Sequence, residues 1–78
     1  MSLLHEANRL ADQVAAAGGS HLRVEVALLR VLAEDADLGF GKSAASIREM
    51  RILAARLGDY LAGTVGEVSP ILRLVDEL

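Results

Sequence analysis

Apolar residues in this 78-residue sequence recur at intervals of three and four in four separate segments. That spacing places them on one face of an α-helix, because a helix turns once in about 3.6 residues. In the first segment, for example, Leu3, Ala7 and Leu10 form a single stripe. We therefore predict an all-α fold, a compact bundle of about four helices, in a single domain over residues 1–78. The predicted helices cover residues 3–17, 21–35, 43–61 and 69–78.

Serine, glycine and proline mark the ends of the predicted helices. Ser2 and Ser20 are predicted N-caps, because a serine hydroxyl accepts a hydrogen bond from a backbone N–H of the first turn. Gly18 and Gly19 end the first helix, since glycine adopts the left-handed C-cap conformation without strain. Further start signals lie at Ser43, Ser46 and the pair Ser69-Pro70.

Two glycine-containing segments, 37–41 and 63–67, are typical of loops. The first holds Phe40 between two glycines. An aromatic side chain contributes a large apolar area when it is buried. We therefore expect Phe40 to fold back onto the core.

A short internal echo occurs at an offset of 43 residues. Residues 28–32, Leu-Leu-Arg-Val-Leu, align with residues 71–75, Ile-Leu-Arg-Leu-Val. The echo indicates two stacked helical hairpins, one from the first two helices and one from the last two. Chance similarity between amphipathic helices rich in leucine and alanine is the alternative.

Charge and cysteine content argue against several classes of function. The formal net charge is −3, with charges of both signs spread along the chain, so no nucleic-acid partner is expected. Charged residues interrupt the first apolar stretch, and no apolar run approaches the roughly 20 residues that span a bilayer, so no membrane partner is expected. The sequence contains no cysteine, which removes disulfides and thiolate metal sites and fits a reducing, cytoplasmic location.

No motif for catalysis, metal binding or cofactor binding is complete. His5-Glu6 begins like a zinc-protease helix, but Arg9 stands where that motif needs its second histidine. Gly41-Lys42-Ser43 resembles the end of a phosphate-binding loop, but Ala36 stands where that motif needs its first glycine. We therefore expect no catalytic, metal or cofactor-binding residues, and a protein that is not an enzyme.

The second and fourth predicted helices carry more apolar surface than one small bundle can bury. Apolar residues make up 53% of the chain, above their usual share. Contiguous exposed apolar surface normally marks a binding site, and two-fold homodimers are the commonest assemblies. We therefore expect a protein–protein interaction or assembly module that pairs with itself as a dimer, or else with a helical protein partner. The candidate interface residues are Val24, Leu29, Val31, Leu32, Leu72, Leu74 and Leu78.

Two other functions stay open. Regular stripes and clean caps are also compatible with a monomeric structural bundle, natural fragment or designed, that has no binding role. In addition, residues 18–37 are similar to the paired-helix repeat of Clp-type ATPase N-terminal domains, through Glu25, Leu28, Leu29 and Leu32. That resemblance implies an adaptor- or substrate-binding domain of a larger machine. The sequence departs from the family after Asp37, and the family's Glu-His reads Glu25-Val26 here, so no site residue is carried across.

Overall fold

The computed structural model describes residues 2–40, 42–62 and 69–78 of the chain. These residues form four α-helices: α1 (Leu3–Ala16), α2 (Arg23–Asp37), α3 (Ala44–Leu61) and α4 (Ser69–Asp76). A short 3₁₀ turn, Ser20–Leu22, leads into α2. No strand occurs in the described part of the chain, and the predicted all-α bundle is confirmed. The predicted loop 63–67 lies outside the described residues.

The four helices form a ring in chain order. α1 packs against α2, α2 against α3 and α3 against α4, while α4 closes the ring by packing on α1. α1 also contacts α3 across the centre, so α2 and α4 occupy diagonal corners. Both predicted helix pairs, α1 with α2 and α3 with α4, are therefore packed together.

Side-chain hydrogen bonds at the helix ends show the direction of the first three helices. The carboxylate of Asp37, at the end of α2, accepts from the backbone N–H of Leu3 at the start of α1. The hydroxyl of Tyr60, near the end of α3, donates to the carbonyl of Ala17, directly after α1, at 2.7 Å. α2 therefore runs antiparallel to α1, and α3 runs parallel to α1.

The core lies inside this ring and is aliphatic. Its largest fully buried side chains are Leu10, Val14, Leu29, Met50, Leu57, Leu61, Ile71 and Val75. Fully burying a side chain of this size contributes about 1.5–3 kcal/mol. The predicted apolar stripe is confirmed on α3, and on α1 as far as Val14. Because Ile71 and Val75 are fully buried, α4 covers the core of its own chain.

Two consecutive glycines end α1, as predicted, and the structure shows that they do so in a Schellman motif. Gly18 has a φ of 78°, and its N–H binds the Ala15 carbonyl at 3.1 Å. The Gly19 N–H binds the Val14 carbonyl at 2.8 Å. Glycine reaches a positive φ without the clash that a Cβ atom would cause. The chain can therefore turn sharply and enter α2.

The serine caps of α1 and α3 are confirmed. The Ser2 hydroxyl accepts from the His5 N–H at 3.0 Å, and the Ser43 hydroxyl accepts from the Ser46 N–H at 3.1 Å. Each bond satisfies a backbone donor that has no partner inside its helix. These two serines therefore determine where α1 and α3 begin.

The predicted cap of the second helix is wrong. Ser20 is the first residue of the 3₁₀ turn, and α2 follows at Arg23 without a side-chain cap. The Leu22 N–H binds the Gly19 carbonyl at 2.9 Å. Backbone atoms therefore satisfy this donor, and the serine hydroxyl is not required.

Candidate interaction surface

The side of α2 that faces away from the bundle carries a row of apolar side chains. Val24, Leu28 and Val31 are 68%, 41% and 56% exposed, and Ala27 between them is exposed as well. Their spacing of three and four residues places them on one face of the helix. Leu38 is 65% exposed and continues the row seven residues after Val31. These five residues, Val24, Ala27, Leu28, Val31 and Leu38, are named the α2 outer face.

Phe40 is exposed beyond the end of α2, so the expectation that it folds back onto the core is wrong. Its side chain is 70% exposed. The cause lies in the Schellman end of α2, where Gly39 has a φ of 90° and the Phe40 N–H binds the Asp35 carbonyl at 2.8 Å. The bond therefore fixes the backbone of Phe40 just beyond the last turn of α2.

The interface residues predicted on α2 divide between surface and core. Val24 and Val31 belong to the α2 outer face, and Leu32 beside them is half-buried. Leu29 is 1% exposed, because it lies on the opposite side of α2 and packs in the core. The α2 outer face therefore excludes Leu29.

The interface residues predicted on α4 lie apart from the α2 outer face. Leu72 and Leu74 are half-buried and pack against the core, and Leu78 is exposed. Since α4 is at the corner diagonal to α2, the two helices present separate surfaces. The α2 outer face is the larger apolar one of the two.

The sequence did not predict Leu28 and Leu38 as members of this surface, nor the exposure of Phe40. Leu28 carried a usable signal, because it follows Val24 by four residues and precedes Val31 by three. Leu38 and Phe40 gave no such signal in the sequence, since both belong to a segment predicted as a loop. Their exposure follows from the way in which α2 ends.

Charged side chains flank the α2 outer face along its edge nearest α1. Arg23, Arg30 and Glu34 are exposed, and their spacing of seven and four residues places them on one edge. None of them forms an ion pair with another described residue. Their charges therefore face solvent beside the apolar row.

A groove of 380 Å³ runs between α1 and α2 along the same edge. Small apolar side chains line it, among them Ala11, Ala15 and Ala27, together with Asp12, Arg23 and Arg30. The described residues that line the groove include Ser20 but no histidine. The groove therefore combines small apolar side chains with charges of both signs.

Polar contacts elsewhere in the described residues hold the fold together. Glu6 is buried inside the bundle, where Arg9 Nε donates to its Oε1 at 2.9 Å. The rings of His21 and Tyr60 meet edge to face with centroids 5.2 Å apart.

Among the residues that the structure describes, no three His, Cys, Asp or Glu side chains lie close enough to hold a metal ion together.

Comparisons with known proteins leave the surface itself as the guide to function. The chain matches no known protein family, and no curated protein and no solved structure is detectably similar to it. None of the helices in the described ranges has the length and apolar character needed to cross a bilayer. The α2 outer face is the feature that points to a function.

Proposed function

We propose that this protein is an assembly module that pairs with a second copy of itself through the α2 outer face. The observation that supports this most strongly is the exposure of Val24, Leu28 and Val31 on one side of one helix, with Leu38 and Phe40 beyond them. Contiguous apolar side chains of this kind normally mark a surface that binds another protein. Burial against a partner removes them from water.

The energy available from this pairing predicts a reversible dimer. Removing apolar surface from water contributes about 25 cal/mol per Å². α2 has 15 residues and is therefore about 22 Å long. Pairing two such faces buries less than the roughly 800 Å² per partner of a standard interface. We therefore expect a dissociation constant in the micromolar range, which corresponds to a binding free energy of about −8 kcal/mol.

A second copy of the chain fits this face well. Apolar side chains line it from Val24 to Leu38, so a copy turned through half a rotation presents apolar groups along the whole contact. The flanking edge carries both signs of charge, on Arg23, Arg30 and Glu34. Self-pairing therefore does not force a uniformly charged edge against itself.

Light scattering after size exclusion, over about a hundredfold range of concentration, tests the proposal. The mass of the wild-type chain is expected to rise from one chain to two. Val31→Glu places a carboxylate in the middle of the face and is expected to give a folded monomer. Ile52→Glu is the matched control, since Ile52 is an exposed apolar residue on α3, and it should dimerise like the wild type. Circular dichroism of each variant verifies that the helices are intact.

Two results would contradict this function as stated. A wild-type mass of one chain at the highest concentration would exclude self-association and leave a helix of another protein as the occupant of the face. A dimer that survives Val31→Glu but is broken by Ile52→Glu would move the interface from α2 to α3.

A further inference from the structure

The groove between α1 and α2 is a concave apolar site beside the α2 outer face. Its volume of 380 Å³ lies within the range of small-molecule sites, roughly 300–1,000 Å³. Its lining includes Val14, which is buried, and Val26, which is half-buried, while Ala11 and Ala15 line its α1 wall. An apolar molecule of small size can therefore bury part of its surface in this groove.

Two arginines stand at the α2 rim of the groove. Arg23 and Arg30 both line it and are exposed, and neither forms an ion pair with another described residue. Seven residues separate them, about 10.5 Å along the helix. A guanidinium group binds a carboxylate through two parallel N–H donors. The rim can therefore hold an anionic group while the groove holds an apolar one.

The described residues that line the groove include one acid, Asp12, and its position leaves one end of the groove basic. The Leu22 N–H binds the Gly19 carbonyl where the chain passes from α1 to α2. Seven residues back along α1 and seven forward along antiparallel α2, Asp12 is about level with the residue before Arg30. Asp12 therefore offsets the charge of Arg30 more than that of Arg23, the first residue of α2.

We propose that this groove binds a medium-chain carboxylate, with its anionic head at Arg23 and its alkyl chain along the groove toward Arg30. A chain of about eight carbon atoms covers the distance between the levels of the two arginines. Ser20 lines the head end, and its hydroxyl does not cap α2, so it is available to donate to the carboxylate. The uncharged end of the chain then lies near Asp12. This site does not depend on self-association.

Titration with octanoate, followed in ¹H–¹³C methyl spectra, tests this site. The largest shifts are expected at the methyl groups of Ala11, Ala15 and Val26, with a dissociation constant at or below about 1 mM. The titration is made in the wild-type chain and in Val31→Glu, since Val31 does not line the groove. The two dissociation constants should agree within about twofold, because the groove is present in one chain.

Two further ligands separate the head from the chain. Butyrate has the same carboxylate and four fewer carbon atoms, so it is expected to bind about tenfold more weakly, because it buries less apolar area. Octylammonium has the same chain and the opposite charge, and it is expected to bind at least about tenfold more weakly, because it cannot pair with Arg23. Equal binding of octanoate and octylammonium would overturn recognition of the anion.

Charge variants locate the head. Arg23→Gln is expected to weaken octanoate binding about tenfold. Arg48→Gln removes an exposed arginine of α3 and is the matched control, which should leave the binding unchanged. Asp12→Asn is expected to strengthen binding about twofold, because it removes a like charge from the groove. Equal effects of Arg23→Gln and Arg48→Gln would overturn the placement of the carboxylate.

A variant that fills the groove locates the alkyl chain. Ala15→Leu adds three carbon atoms at an exposed helical position of the α1 wall and is expected to weaken octanoate binding about tenfold. Ala16→Leu is the matched control, since Ala16 is exposed on the same helix but does not line the groove. Circular dichroism of both variants verifies that the helices are intact.

The outcomes separate this site from the proposed function. Octanoate shifts confined to Val24 and Leu28, or binding that Ala15→Leu leaves unchanged, would overturn the groove site, and the mass measurements on Val31→Glu would still decide self-association. Octanoate binding at the groove in a chain that stays monomeric would support the site and leave it standing without the dimer.

Discussion

The carboxylate of Asp37, the last residue of α2, accepts a hydrogen bond from the backbone N–H of Leu3, the first residue of α1, at 3.0 Å. Its other oxygen accepts from the Leu4 N–H at 2.9 Å. The first N–H groups of a helix have no partner inside it and carry partial positive charge. The Asp37 side chain therefore caps α1 and connects the C-terminal end of α2 to the N-terminal end of α1.

Asp37→Ala is expected to destabilise the fold by about 1–2 kcal/mol, because it leaves two donors of α1 without their acceptor. Asp35→Ala is the matched control, since Asp35 is an exposed acid two residues earlier on the same helix. Its loss should change the free energy of unfolding by less than about 0.5 kcal/mol. Urea denaturation of both variants at one low protein concentration measures the difference. Equal losses would show that the Asp37 cap contributes nothing.

The four helices were predictable because apolar periodicity and serine or glycine end signals are local properties of a sequence. The role of Asp37 was not predictable in this way, because its hydrogen-bond partner lies 34 residues away along the chain. Asp37 was instead predicted to begin a loop, but α2 begins and ends two residues later than predicted. Relationships of this kind depend on how the helices pack, which no local pattern encodes.

Gly19→Ala and Gly39→Ala are expected to lower the free energy of unfolding by different amounts. A Cβ atom at Gly19 would overlap Cγ1 of Val14 and lie 2.9 Å from the Val14 carbonyl oxygen. At Gly39 it would meet no atom within 4 Å, so only the strain of a φ of 90° remains. We expect Gly19→Ala to cost about 3 kcal/mol and Gly39→Ala about 1 kcal/mol. Thermal unfolding compares them, and a larger loss for Gly39→Ala would refute this account of the α1–α2 turn.

Leu28 and Leu29 are neighbours in the sequence but differ in environment. Leu29→Ala is expected to cost about 3 kcal/mol, because it leaves a cavity in the core. Leu28→Ala should cost less than about 1 kcal/mol in the monomer and should weaken self-association. Urea denaturation and light scattering of both variants separate the two effects. The reverse pattern, with Leu28→Ala unfolding the chain, would mean that the outward side of α2 is assigned incorrectly.

Substitution of Phe40 should affect self-association and not stability, whereas substitution of Tyr60 should affect stability and not self-association. Phe40→Ser is expected to leave the free energy of unfolding within about 0.5 kcal/mol and to weaken self-association. Tyr60→Phe removes the hydrogen bond to Ala17 and is expected to cost about 1 kcal/mol of stability with no effect on self-association. Thermal unfolding and sedimentation equilibrium test the pair. Unchanged self-association of Phe40→Ser would remove Phe40 from the surface.

The surface was predictable only in part. Apolar residues surround most of α2, so Val24, Leu29 and Val31 were equally plausible interface residues. Their division between core and surface depends on where α1 and α3 lie against the helix, which is a property of the whole bundle. The exposure of Phe40 accompanies the turn at Gly39, whose φ of 90° ends α2.

Two-dimensional ¹H–¹⁵N NMR spectra of the wild-type chain, recorded over about a hundredfold dilution, test the central claim most directly. The α2 outer face, Phe40 and the neighbouring Arg23 and Glu34 are expected to show the largest concentration-dependent shifts. Residues of α4 should shift little, because that helix lies at the diagonal corner of the ring. Spectra that do not change with dilution, or changes confined to α3 or α4, would contradict self-association through α2.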